Sequence, residues 1–155
     1  MGLGTYWISN HCVELISELL PTGGTILEFG SGYGTETLCK NGYKVYSIEQ
    51  NERWVGKFSS TYIYAPIVNG WYDTKIVEEQ LPEKYDLLLI DGPQTNGRSK
   101  FIENIKLFEP LIHNIPIIID DINRDEEKIL ADELSKYLNK SYTILENDGG
   151  TGYIK

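Results

Sequence analysis

The sequence predicts a mostly parallel α/β sheet with an antiparallel edge, and three observations carry that prediction. Short apolar runs alternate with amphipathic stretches along nearly the whole chain. The first run, TILEF, passes straight into the glycine-rich turn Gly30-Ser31-Gly32-Tyr33-Gly34 and then into a helical pattern, which makes a βα unit. The C-terminal stretch reads as two strands joined at Asn147-Asp148-Gly149-Gly150, a hairpin that supplies the antiparallel edge.

Each element follows from its own pattern. Residues 8–20 place Ile8, Cys12, Leu15, Ile16 and Leu19 at three- and four-residue steps, an apolar helical stripe stopped by Pro21 and Gly23-Gly24. Residues 25–29 form a strand, 35–40 a short helix ending at Asn41-Gly42, 43–48 a second strand and 51–60 a second short helix. A third strand over 62–68 is weakened by Pro66. Residues 73–80 read as helix, 85–90 as a buried strand, 98–108 as helix before Pro110, and 115–120 as the fifth strand. Residues 125–138 make a long amphipathic helix with Ile129, Leu130, Leu134, Tyr137 and Leu138 on one face. Five strands and the hairpin, 142–146 with 151–155, complete the count.

Composition bounds the function. A chain of 155 residues, 41% hydrophobic and 24% charged, fits one globular domain over 1–155 and excludes disorder. Twenty-three acidic against 14 basic side chains give a net charge of −9, a field that repels phosphate backbones and anionic lipid. Neither nucleic acid nor a membrane is expected as partner. Cys12 and Cys39 lie far apart without a CxxC, and with only His11 and His113 to join them a structural zinc is not expected. No leader pattern opens the chain and no apolar run is long enough to span a bilayer, so the expected location is cytoplasmic.

In an open parallel sheet, ligands sit beyond the carboxyl ends of the strands, where strand order reverses. Four of the five strand ends carry acids: Glu28 before the glycine turn, Glu49, Asp91, and the pair Asp120-Asp121. The glycine turn lets the backbone approach a ligand closely and aims helix N-terminal amides at it. Glu49, 19 residues after Gly30 at the end of the second strand, is placed to accept both hydroxyls of a ribose. A nucleoside cofactor follows. A dinucleotide loop reads G-x-G-x-x-G, but here the third glycine comes one place early and Thr35 stands in its position. Glu28 beside the loop suits an ammonium or sulfonium group better than a diphosphate. Asp91, Asp120 and Asp121 form an oxygen-rich set of the kind that binds a hard cation such as Mg²⁺, which would hold an acceptor's paired hydroxyls and acidify one of them. Without a metal, Asp91 or Asp121 is the general base, provided burial or like charge raises its pKa. The plainer readings make Glu49 a solvated acid, Asp120 or Asp121 a helix cap, and Trp71 and Tyr72 edge-of-core aromatics.

At ILEFGSGYG and YSIEQ the sequence resembles the first and second motifs of class I S-adenosylmethionine-dependent methyltransferases. The resemblance covers nearly the whole chain. It implies a Rossmann-like, mostly parallel seven-stranded sheet with helices on both faces and a C-terminal antiparallel hairpin. It also implies that Gly30, Ser31, Gly32 and Gly34 line the methionine part of the cofactor, that Glu28 and Asp91 lie close by, and that Glu49 holds the ribose. Gln50 and the segment from Trp71 to Asp73 would flank the adenine, and residues 1–22 would close over the pocket. IIIDDINR resembles small bacterial members that act on sugars or other small hydroxylated acceptors, so O-methylation is the implied reaction. Metal-dependent catechol O-methyltransferases are similar around Asp91, Asp120 and Asp121, except that Asp121 replaces their Asn and Gln94 replaces their lysine base.

Methyl transfer to oxygen is an in-line displacement, so alignment and deprotonation of the acceptor are the enzyme's main tasks. Arg98 and Arg124 share the acidic rim, as acceptor ligands or as solvated charges, and His11 is read as a packing residue. A homodimer could complete acceptor selection. Two other classes stay open. A nicotinamide-dependent, NAD(P)-binding oxidoreductase would share the βα site, against which the displaced glycine counts. A non-catalytic S-adenosylmethionine-binding protein is the other, against which the three aspartates count.

Overall fold

The computed structural model describes residues 8–93, 97–145 and 150–155. Residues 1–7 of the expected lid, Gln94, and most of the 147–150 turn lie outside them. Helix α1 (Asn10–Leu19) is capped by Ser9, whose hydroxyl accepts the Cys12 N–H at 3.1 Å. There follow β1 (Thr25–Phe29), α2 (Tyr33–Lys40), β2 (Lys44–Glu49), β3 (Thr61–Tyr64), β4 (Ile67–Val68), β5 (Trp71–Tyr72), α3 (Thr74–Gln80) and β6 (Leu87–Ile90). After 3₁₀ segments at Arg98–Phe108 and Leu111–His113 come β7 (Ile117–Asp120), α4 (Asp125–Leu138), β8 (Thr143–Leu145) and β9 (Thr151–Ile154).

Among the described residues seven strands form one sheet in the order β3-β2-β1-β6-β7-β9-β8. The first five are parallel, and β9 and β8 add the antiparallel edge. The chain builds outward from β1 to β3 and then returns to β6 on the other side, so strand order reverses between β1 and β6. Phe29, Ile48 and Ile90 lie level across the three central strands, which brings their following loops to one rim.

Pleating sorts the core into two faces. Ile26, Val45, Leu87, Leu89 and Ile118 pack with Cys12, Leu15, Ile16 and Leu38 of α1 and α2. Leu27, Phe29, Leu88, Ile90, Ile117 and Ile119 pack with the 3₁₀ segment, α3 and α4. The helices therefore cover both faces. No helix among the described residues is long and apolar enough to cross a membrane.

Three elements differ from expectation. Residues 51–60 form turns instead of a helix: Asn51 Oδ1 accepts the Arg53 N–H, the backbone bonds run three residues back, and Gly56 sits at φ +78°. The stretch 62–68 breaks at Pro66, and its second half pairs antiparallel with Trp71–Tyr72 across Asn69-Gly70, both at positive φ as a two-residue hairpin turn requires. On α4 the buried face is Glu127, Leu130, Ala131, Leu134 and Leu138, while Ile129 and Tyr137 are exposed. Leu130→Ala is accordingly expected to cost about 2–5 kcal/mol and Ile129→Ala no more than about 0.5 kcal/mol, read from urea unfolding midpoints. Equal costs would mean that the helix is rotated from the face described.

Candidate functional site

Leaving β1, the chain turns at Gly30, whose φ of +87° and close approach to β6 exclude a side chain. A Cβ there would lie 2.4 Å from the Asp91 carbonyl oxygen. Opposite it, a Cβ on Gly92 would lie 2.3 Å from the Tyr72 hydroxyl and 3.0 Å from the Gly30 nitrogen. Gly34, in the first turn of α2, is covered by the Ile8 side chain. The loop is thus pressed between β6 and the start of the described N-terminal segment.

Glu49 stands at the end of β2 and is buried. One of its oxygens accepts the Ser31 N–H at 2.8 Å and the other the Asn51 N–H at 2.6 Å. Burial raises its pKa, and the backbone N–H donors oppose that shift. It is therefore no solvated surface acid. The Gln50 backbone also donates to this carboxylate, which is thereby held in place by three backbone amides with acceptor capacity remaining.

Glu28 lies beneath the loop, not within it. It belongs to the sheet face under α2, level with Ser47 on β2, which in turn is level with Tyr62 on β3. Its Oε2 accepts the Ser47 and Thr35 hydroxyls, each at 2.5 Å. Thr35 Oγ1 also accepts the Gly32 N–H at 3.1 Å and lies 3.0 Å from Ser31 Oγ, which is 2.9 Å from the Tyr62 hydroxyl. Burial, offset in part by the two hydroxyls, pushes the Glu28 carboxyl up to about 7. Thr35 is the residue that sequence reasoning undervalued. It reads only as a missing glycine in the sequence, yet it joins the loop to the sheet, and a Thr in the first turn of the helix after the loop, seven residues past Glu28, is the available signal.

On the other side of the loop, Asp91, Asp120 and Asp121 converge, each offering an oxygen within 4.8 Å of the others. Asp91 and Asp121 are about a quarter exposed, whereas Asp120 is buried. Burial and the Asp120 charge hold the Asp91 carboxyl well above its ordinary range, against the pull of Arg98. Burial and Asp121 push Asp120 up to about 6. Neither Asp120 nor Asp121 caps α4, because the capping position is Arg124, so that plainer reading fails. Asp121 itself sits at φ +58°. Arg98, read as a rim ligand or a solvated charge, is buried instead. It is 3.4 Å from Asp91 Oδ1, 3.5 Å from Asp121 Oδ2 and 3.4 Å from Glu127 Oε2. Arg124 stays exposed, 3.4 Å from Asp121.

Other expected residues go elsewhere. Asp73 caps α3, its carboxylate accepting the Lys75 N–H at 3.1 Å. Trp71 and Tyr72 pack into the core with Phe29, Phe101 and Phe108, with Trp71 edge-on to Phe29 at 5.7 Å and stacked on Phe101 at 6.2 Å. They are core aromatics, so an adenine contact from this segment is not what their packing offers. Their polar atoms, Trp71 Nε1 and the Tyr72 hydroxyl, are buried without a hydrogen-bond partner among the described residues. His11 is exposed and not packed, and His113, also exposed, pairs with Glu109 below the amino end of β7. Gln50, partly buried, follows Glu49 on the same rim.

No protein-family model and no curated protein matches this sequence. Solved structures match its fold. A protein of Staphylococcus aureus provisionally assigned as a caffeoyl-CoA O-methyltransferase is 19% identical with a TM-score of 0.59, over 96% of this chain and 84% of that one. Fibrillarin of Aeropyrum pernix, solved with natively bound S-adenosylmethionine, is 17% identical with a TM-score of 0.57, over 88% of this chain and 69% of that one. A methyltransferase of the mycinamycin biosynthetic pathway, solved with Mg and S-adenosylhomocysteine, is 10% identical with a TM-score of 0.56, over 94% of this chain and 47% of that one. The chain has the Rossmann-like α/β fold of class I methyltransferases.

Glu28 makes folding pH-dependent. Its pKa rises from 4.5 to about 7 in the fold, so the folded chain binds the extra proton and stability falls as pH rises through that window. At 1.36 kcal/mol per unit the loss is about 3 kcal/mol. Urea unfolding at pH 5 and pH 8 is expected to show a much smaller drop for Glu28→Gln than for the unaltered chain. Equal drops would assign the titration to other groups.

Proposed function

We propose that this chain is an S-adenosylmethionine-dependent methyltransferase that methylates an oxygen of a small hydroxylated or sugar-like acceptor. The observation that carries the reading is Glu49: a buried carboxylate at the strand end next to the reversal point, tied to the glycine loop by the Ser31 amide and held from its own side by the Asn51 and Gln50 amides. The residues present fit such a cofactor. Gly30 and Gly92 leave no room for side chains at the junction of the two loops, the Ser31 and Gly32 backbone borders it, and the surrounding acids favour a cationic sulfonium. When bound, the cofactor supplies an electrophilic methyl group.

The chain's own residues then have distinct tasks. Glu49 accepts the ribose hydroxyls while Ser31 and Asn51 hold its orientation. Gly30, Ser31, Gly32 and Gly34 border the methionine part, and Gln50 lies on the adenine side. Glu28 acts from below, fixing Thr35 and through it the loop. Asp91 and Asp121, the two partly exposed members of the acid cluster, receive the acceptor's proton. The N-terminal segment, whose Ile8 already rests on Gly34, closes the pocket.

Calorimetry with S-adenosylmethionine and its demethylated product tests the cofactor. Glu49→Gln is expected to weaken binding about tenfold or more, since a hydrogen bond to a charged group is worth about 1.5–3 kcal/mol, with circular dichroism unchanged. Undiminished affinity would reject the ribose role. Once a screen of sugar and catechol acceptors yields turnover, Asp91→Asn or Asp121→Asn is expected to lower kcat about 10²–10⁴-fold. If both variants turn over at the original rate, neither aspartate is the base.

A further inference from the structure

The three aspartates have the spacing of a divalent-cation site, but the structure puts another cation among them. Arg98 is only 8% exposed, and all three guanidinium nitrogens are engaged. Nη2 reaches Asp91. Nη1 reaches Asp121, Glu127 and the Asp120 carbonyl oxygen at 3.4 Å, and Nε donates to the Pro93 carbonyl oxygen at 3.3 Å. The guanidinium therefore meets two of the three cluster carboxylates and the backbone of the third.

Two further observations hold it there. Glu127, buried on α4 and 3% exposed, has Arg98 and Arg124 as its cationic partners, the latter at 3.6 Å. Moving Arg98 out would leave that buried anion with a single, largely exposed partner, a costly arrangement. The backbone before Arg98 is also fixed, because Gly97 packs on the Gly70 carbonyl so closely that a Cβ would lie 2.2 Å from it. A divalent ion seated between Asp91 and Asp121 would face a guanidinium that cannot leave.

We propose that Arg98 is the resident cation of the Asp91–Asp120–Asp121 cluster, standing in the charge position of a divalent ion and excluding one. The inference concerns the cluster alone and does not depend on the methyltransferase reading. Where that reading holds, the acceptor is oriented by hydrogen bonds and not by chelation, so paired hydroxyls are not a requirement.

Manganese titration followed by electron paramagnetic resonance of free Mn²⁺ tests it without any turnover assay. The unaltered chain is expected to bind no stoichiometric Mn²⁺ at millimolar concentration. Arg98→Ala is expected to bind one ion per chain, about tenfold or more tighter, and to lose it on adding Asp120→Asn. Should Arg98→Ala fail to fold, Arg98→Ala with Glu127→Gln removes the stranded anion as well and is expected to bind the ion. Stoichiometric binding by the unaltered chain that Asp120→Asn abolishes would overturn the proposal, as would a folded Arg98-less variant that binds nothing.

Discussion

The amides of Ser31 and Gly32 fall between the last rung of β1 and the first turn of α2, so they belong to neither a strand ladder nor a helix. Side chains take both of them: Glu49 accepts one and Thr35 the other. Those two anchors differ in kind. Glu49 comes from the neighbouring strand and fixes where the loop stands, while Thr35 is bound to Glu28 below and fixes how high the loop rides above the sheet. The cross-strand row of Glu28, Ser47 and Tyr62 is the base on which this rests, and its placement follows from register alone. A carboxyl in that row is buried whatever its chemistry, and the hydroxyls around it are what make its burial tolerable.

Across the loop the balance is different. The Asp91, Asp121 and Glu127 carboxylates meet two guanidinia, one buried and one exposed, while Asp120 meets the buried one through its backbone carbonyl. Burial and repulsion among the carboxylates raise the pKa values of both Asp91 and Asp120, so the cluster takes up a proton more readily than isolated carboxylates do. Below this cluster, the Tyr72 hydroxyl is buried against Gly92 without a hydrogen-bond partner among the described residues, and an unpaired buried donor costs on the order of 1–3 kcal/mol. The glycine loop is satisfied by its surroundings, whereas the rim next to β6 keeps unspent hydrogen-bonding capacity.

The parallel sheet, its antiparallel edge and the switch point were legible because they depend on local alternation and on a single glycine turn. The helix read over 51–60 failed because Asn51 and Gly56 favour turns that outweigh its weak apolar pattern. Asn69-Gly70 is a hairpin turn to which the sequence pattern assigns no strands of its own, since strands of two residues leave almost no pattern. Glu28, Glu49, Asp91, Asp120 and Asp121 were found from their places at strand ends. What their side chains touch was not legible. Arg98 meets Glu127 from 29 residues away, and Asp73 turns to its own helix, so both were assigned by proximity in the chain to a rim they serve differently.

Sign of charge narrows what such a rim accepts. Glu49 on one side and the aspartates on the other leave more negative than positive charge around the β1 and β6 loops, within a chain whose net charge is −9. On the proposed reading, a sulfonium gains from that field when it binds and loses that gain when its methyl group departs, so the field holds the charged cofactor more firmly than the neutral product. The same field acts on the acceptor. A phosphorylated or nucleic-acid acceptor would approach against it, and Arg98, buried and committed to three carboxylates, has no free face with which to receive one. On the proposed reading a neutral polyol faces no such barrier, and its hydroxyl would meet in Asp91 and Asp121 acceptors that are partly open to solvent.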